Sequence, residues 1–189
     1  MNYSVINFPN NIIQDILRNK ENNLTKGNVN DASGLTKRNS SISWIKNPDI
    51  CQRVFGMMKK NVENFSSLYI DNIEPLQYSE YDTKQEYGWH QDVNNTPYSD
   101  GRIRKISFSI FLNDNYKGWE FDLEIHGPDV NPRYISERKR SSENCILFHS
   151  DMWHRVRPVK SGVRKSIVGW LLGPKMKWKY QNLTRSIKL

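Results

Sequence analysis

The chain has 189 residues, with 28 Lys and Arg against 20 Asp and Glu, for a formal net charge of +8. This length suits one domain with a buried core and is short for two. No apolar run approaches the roughly 18 residues of a membrane span, the opening Met-Asn-Tyr-Ser lacks the order of a signal peptide, and Cys51 and Cys145 are too few for a disulfide framework, so a reduced cytoplasm without a membrane partner is expected.

In chain order, Asn11 to Lys20 spaces Ile12, Ile13, Ile16 and Leu17 as a helix does, and polar Glu21 to Ser33 reads as a loop. Gly34 to Ile45 follows, a stretch whose role its residues do not disclose. A second helix opens at Asn47, a good N-cap, with Pro48 in the first helical position and Asp49 in the first turn. Ile50, Val54, Met57, Met58, Val62 and Phe65 then form one apolar stripe suited to a sheet.

After Phe65 the period changes from 3.6 to 2. Leu76 to Tyr81, Ile103 to Leu112, Trp119 to Ile125, Cys145 to Phe148 and Val163 to Leu172 read as strands, separated by turn clusters at Asn94 to Gly101 and His126 to Pro132. Helices first and strands afterwards predict an α+β chain. Its core would be a double-sheet barrel or jelly roll over residues 69–174, supported by helices within 1–68 and followed by a basic tail at 175–189. The tail contains Trp178 and Tyr180, and Arg133 to Arg140 is a second basic run. Such runs are ordinarily solvated, the other reading being a surface for an acidic macromolecule.

The chemistry concentrates in Tyr87-Gly-Trp-His-Gln-Asp92. In an extended stretch His90 and Asp92 project to one side, and His154 downstream supplies a third donor. Two imidazoles and a carboxylate that leave the other coordination positions open are the arrangement of non-haem Fe(II) sites. A competing pair, His149-Ser-Asp151, has only His154 beyond it, and strand parity turns that residue away. His149 is therefore read as a supporting or structural residue, and His126 as a loop residue. Hydrolytic zinc sites use similar donors, but Arg164 is a fork suited to gripping the distal carboxylate of a metal-bound 2-oxo acid, and Ser166 on the same face adds a donor.

These residues resemble the 2-oxoglutarate and Fe(II)-dependent dioxygenases, specifically the prolyl 4-hydroxylase-like branch that includes the PKHD-type hydroxylases. The motifs run from about Gly34 to Pro174: Arg38-Asn-Ser-Ser with Trp44-Ile45, Leu76 to Asp92, Arg104 to Asn113, and Ile146 to Trp170. The resemblance implies a cupin-like double-stranded β-helix that uses Fe(II), 2-oxoglutarate and O2, with ascorbate as a reductant. It makes His90, Asp92 and His154 the iron ligands and Arg164 the holder of the cosubstrate's far carboxylate, assisted by Tyr81, with Phe111 and Phe121 lining the pocket.

On the substrate side the resemblance places Tyr87, Arg104 and Trp170. The chain departs from the family's Gly-Gly-Glu-Leu at Gly118-Trp119-Glu120-Phe121, so Trp119 is expected to reshape the substrate pocket. Trp89, Trp119, Trp153 and Trp170 are expected to wall the cavity. The leading activity is hydroxylation of a prolyl residue in a protein or peptide, with release of succinate and CO2. Three alternatives are weighed: hydroxylation of a free amino acid or small metabolite, oxidative demethylation of nucleic acid, and a non-catalytic binding module. Against the nucleic-acid reading, that branch carries an arginine six residues after the clamp, where this chain has Trp170.

Overall fold

The computed structural model describes residues 3–27, 37–93, 96–118, 121–125, 133–137 and 142–175. Along these run β1 (Tyr3–Asn7), α1 (Asn10–Arg18), β2 (Thr25–Lys26), β3 (Ser41–Ile45), α2 (Pro48–Val62), β4 (Asn72–Ile73), β5 (Leu76–Tyr81), β6 (Tyr87–His90), β7 (Arg102–Phe111), β8 (Phe121–Ile125), β9 (Arg133–Glu137), β10 (Asn144–His149), β11 (His154–Val156) and β12 (Arg164–Pro174). Trp119, the turn at 126–132, and the basic residues at 138–140 and from 176 onward lie outside the described residues.

Local sequence dictates α2 closely. The Asn47 side chain accepts from the backbone N–H groups of Asp49 and Ile50, and Pro48 occupies a position where a missing N–H costs nothing. Of the expected stripe, Ile50, Val54, Met58 and Val62 are buried, whereas Met57 and Phe65 remain half-buried at its margin. The first 68 residues also supply strands that periodicity does not announce. β1 pairs with β10, β3 pairs with β5, and β2 in the expected loop pairs with β3.

Among the described residues the strands form two antiparallel sheets of a jelly roll. The larger is ordered β1-β10-β7-β12-β5-β3-β2, with β4 on β12, and the smaller β6-β11-β8-β9. Alternation divides each long strand between two cores. Ile106, Phe108 and Ile110 of β7, with Ile167 and Leu171 of β12, pack toward α1 and α2. Phe111, Ile146, Phe148 and Tyr81 meet Phe121, Leu123 and Val156 of the smaller sheet in the space between the sheets. On β7, Ser107 and Ser109 alternate with those isoleucines and are buried too, so both faces of this central strand are covered. The site occupies the intersheet space.

Candidate metal centre

His90 ends β6 and His154 opens β11, and the two face each other in the antiparallel ladder. The next rung pairs Val156 with Tyr87, so β6 carries an extra residue there. This bulge corrects simple alternation by bringing Tyr87 and His90 to one face, where their rings stack with centroids 3.5 Å apart and planes 11° apart. Asp92 lies beyond the strand end and is fixed by its backbone N–H, which donates to the Ser150 carbonyl at 2.9 Å.

The three side chains converge. Nε2 of His90 is 3.8 Å and Nε2 of His154 is 3.4 Å from the Asp92 carboxylate, and one donor atom from each residue lies within 4.8 Å of the others. Nδ1 of His90 donates to the Gly88 carbonyl at 2.8 Å, and Nδ1 of His154 to that of Met152 at 2.9 Å. A carbonyl accepts only, so both protons sit on Nδ1 and both Nε2 lone pairs point into the cluster.

The electrostatics agree with that arrangement. Burial, reinforced by His154, pushes the His90 imidazole down to about 3. Burial opposes ionisation of Asp92, but proximity to His154 and His90 outweighs it and holds the carboxyl well below its ordinary range. A neutral imidazole beside an ionised carboxylate is ready to ligate a cation.

Across the intersheet space, Arg164 is 1% exposed. It pairs with Tyr81 across β5 and β12, and its guanidinium sits 5.3 Å from the Tyr81 ring centroid and 5.4 Å from that of Phe111. Nη1 donates to Ser166 Oγ at 2.8 Å, while Nε has no hydrogen-bond partner among the described residues. A buried cation between two aromatic rings with an unused donor is half of an anion site.

Phe121 lies 5.7 Å from the His154 ring. Phe148 lies closer, edge-on at 4.7 Å; its sequence context marks it only as a strand residue, and its place opposite Ser107 on β7 is the tertiary fact that exposes it. Arg38 covers the outer face of Tyr87 at 4.6 Å, completing an Arg38–Tyr87–His90 stack. Arg104 and Trp170 are brought together at 3.9 Å, and both oxygens of Glu74 hold the guanidinium at 2.7 Å.

The expected wall of tryptophans needs correction. Trp153 is 42% exposed, and Trp89 packs under Arg155, which alternates away from His154 on β11. Trp119 lies outside the described residues. His149 donates to or accepts from Ser66 Oγ at 3.1 Å and stands apart from the cluster.

The donor set fits Fe(II): two imidazole nitrogens with fixed tautomers, one carboxylate, and an unsatisfied guanidinium donor in the same intersheet space. Fold and site thus define a jelly-roll protein with a two-histidine, one-carboxylate centre. The family model described as the 2OG-Fe(II) oxygenase superfamily matches residues 76–172, just over half of the chain. The chain belongs to that superfamily, whose members use Fe(II) and 2-oxoglutarate.

Its sequence relatives are PKHD-type hydroxylases. That of Crocosphaera subtropica is 29% identical over 120 residues, covering 62% of this chain and 51% of its own length. That of Synechococcus sp. (strain CC9902) is 34% identical over 87 residues, covering 45% and 35%. The chain thus spans about a third to a half of the length of these curated relatives.

Among solved structures, a Pseudomonas putida prolyl-4-hydroxylase superposes with a TM-score of 0.64 at 17% identity, covering 93% of this chain and 94% of that one. A viral collagen prolyl hydroxylase from Paramecium Bursaria Chlorella virus-1, in a 2OG complex, gives 0.61 at 16% identity, covering 92% and 97%. At such identities the likeness concerns the fold.

Proposed function

We propose that this protein is a cytoplasmic Fe(II)- and 2-oxoglutarate-dependent dioxygenase that hydroxylates a prolyl residue in a protein or peptide. His90, Asp92 and His154 would hold the metal through Nε2, a carboxylate oxygen and Nε2. A bound ferrous ion supplies O2 activation coupled to conversion of 2-oxoglutarate to succinate and CO2, with ascorbate as the reductant that restores it.

The chain's own contribution is positional. Arg164, with Ser166 and the Tyr81 hydroxyl, binds the far carboxylate of the 2-oxo acid and so fixes how far its other end reaches toward the donors. Phe111, Phe121 and Phe148 keep water from the cavity, which strengthens every charge interaction inside it. Tyr87, Arg104 and Trp170 would stand on the substrate side. The prolyl assignment is supported by the relatives called PKHD-type hydroxylases and by a neighbour from Trichoplax adhaerens, a prolyl hydroxylase in complex with a hypoxia inducible factor peptide fragment.

The single observation that carries the oxygenase reading is Arg164, buried without a carboxylate partner among the described residues, in the space that holds the triad. Succinate release from 2-oxoglutarate by the iron-loaded protein tests it. His154→Ala is expected to abolish release, and Arg164→Lys to raise the 2-oxoglutarate requirement about tenfold or more through loss of the fork. Undiminished succinate release by His154→Ala would remove the assignment. Mass spectrometry of proline-containing peptides, reading a gain of one oxygen, tests the substrate class.

A further inference from the structure

The residues just before β3, whose sequence does not disclose their role, lie against the strand that carries His90. Arg38 forms an antiparallel bridge with Tyr87. Beside it the Asn39 N–H donates to the Glu86 carbonyl at 3.1 Å, the Glu86 N–H to Asn39 Oδ1 at 2.7 Å, and the Gly88 N–H to the Lys37 carbonyl at 2.8 Å. Lys37 and Glu86 add an ion pair at 2.7 Å. Residues 37–39 thus strap residues 86–88 in place.

Two restraints on the His90 ring come from that strapped segment. Its Nδ1 donates to the Gly88 carbonyl, which fixes the tautomer and the direction of Nε2. Its plane follows the Tyr87 ring stacked on it, with centroids 3.5 Å apart. The Arg38 guanidinium lies on the other face of Tyr87, 4.6 Å from the ring centroid. A cation over an aromatic face is attracted by the ring quadrupole, so Tyr87 is kept from swinging off the imidazole.

Arg38 is itself held from several sides. Nε donates to Ser40 Oγ at 3.0 Å and Nη2 to Oε1 of Gln77 at 2.7 Å, and both partners are buried. Gly27 packs so closely that a Cβ there would lie 2.8 Å from Arg38 Nε and 2.6 Å from Ser40 Oγ. Gln77 belongs to β5 of the larger sheet and Tyr87 to β6 of the smaller. The guanidinium therefore ties one sheet to the ring that backs a metal donor on the other.

We propose that Arg38 is a positioning residue of the metal centre. Seated on Ser40, Gln77 and Gly27, it caps Tyr87 and so holds the His90 imidazole in the plane that aims Nε2 at the cation. The inference rests on the reading of His90, Asp92 and His154 as ligands, and it gives the segment before β3 a task in metal binding.

Fe(II) titrated into the full chain under argon, with calorimetry as the readout, tests this. Groups that orient a ligating histidine are typically worth about ten- to a hundredfold in metal affinity. Arg38→Met is expected to weaken Fe(II) binding about tenfold, and Tyr87→Leu by a similar factor. Because Arg38 acts through Tyr87, the double variant should bind no worse than Tyr87→Leu alone. Proton NMR of the metal-free protein reads the stack directly. The Tyr87 ring current should shift the His90 ring protons, assigned with His90→Asn, upfield in the parent, and Arg38→Met should release much of that shift.

An unchanged Fe(II) affinity in Arg38→Met would overturn the proposal, even with a lower urea midpoint, since Arg38 would then support the fold alone. So would losses that multiply in the double variant, or His90 protons that stay shifted in Arg38→Met. Should Arg38→Met fail to fold, Arg38→Gln takes its place in each comparison. A parent that binds no Fe(II), or a His90→Ala variant that binds it as tightly as the parent, would remove the ligand reading and the proposal with it. Loss of binding in His90→Ala beside an unchanged Arg38→Met would remove the proposal alone.

Discussion

Arg164 holds a position that stability alone would not select. Its guanidinium is buried, and among the described residues one hydrogen bond reaches it, to Ser166, while Nε is left over. Replacing a buried, underpaired charge by an apolar side chain of similar length is often neutral or stabilising. Arg164→Met is therefore expected to melt at or above the wild-type temperature by calorimetry, while losing the stabilisation that added 2-oxoglutarate gives the parent. A variant that melts lower would mean that the guanidinium supports the fold and not a ligand.

His90 makes the complementary case for pH. Burial lowers its folded value to about 3, against 6.5 for an unperturbed histidine. As pH falls from about 6.5 toward 3 the unfolded chain takes up a proton that the folded chain refuses, and stability drops by at most about 1.4 kcal/mol per pH unit. Asp92 is depressed below its ordinary 3.8, so its contribution is present above that value and is lost only as pH falls further. His149 is lowered as well, by burial, and adds a second slope in the histidine window. Urea titrations of the metal-free protein between pH 6.5 and 4.5 should show a falling midpoint. His90→Asn should flatten the fall without removing it; an unchanged slope would mean that His90 is not held neutral.

At this scale the convergence of His90, Asp92 and His154 was legible, because residue type and spacing advertise metal donors. Phe148, Arg38 and the bulge that stacks Tyr87 on His90 were not, because each acts through a neighbour distant in sequence.

Among the elements, β12 joins the helical support to the site. Its odd positions pack toward the helices and its even positions include Arg164 and Ser166, so displacing one face moves the other. Gly169 shows how little room there is: a Cβ at that position would lie 2.3 Å from Cζ of Phe108 and 2.9 Å from Cδ2 of Leu76. Gly169→Ala is expected to lower stability by about 1–3 kcal/mol through overpacking, read as a lower urea midpoint. It should also weaken 2-oxoglutarate binding, because the strand that carries Arg164 must shift. A variant with full stability would show that the strand relaxes freely at this point.

Elements written by local rules were readable from sequence. The cap of α2 and the bounds of β5 coincide with expectation, and the expected stripe overruns the helix end at Val62 only at Phe65. β1, β2, β4, β6 and β11 have two to five residues each and owe their pairing to partners far along the chain. No periodic signal of useful length exists in so short a run. A central strand between two cores is covered on both sides, so Ser107 and Ser109 of β7 are buried along with its isoleucines.

For the whole molecule, the decisive fact is that the two halves of the site ride on different sheets. His90 and His154 belong to the four-stranded sheet, with Asp92 on the loop that leaves it, whereas Arg164, Ser166, Tyr81 and Phe111 belong to the larger one. A 2-oxo acid with one end at the metal and its far carboxylate at Arg164 would join the sheets across their common core. Metal alone and acid alone would each stabilise one side. Binding linkage then requires that the two ligands together raise stability by more than the sum of their separate effects, each separate effect being about 2.7 kcal/mol at a hundredfold excess over its dissociation constant. Thermal melts of the anaerobic protein with Fe(II), with 2-oxoglutarate and with both measure this excess. Arg164→Met should keep the metal shift and lose the excess, and His154→Ala should lose the excess together with most of the metal shift. Hydrogen exchange should slow at the Arg164 end of β12 and at His154 of β11 together only when both ligands are present. Additive shifts, or protection confined to one sheet, would place the acid elsewhere than between the metal donors and Arg164.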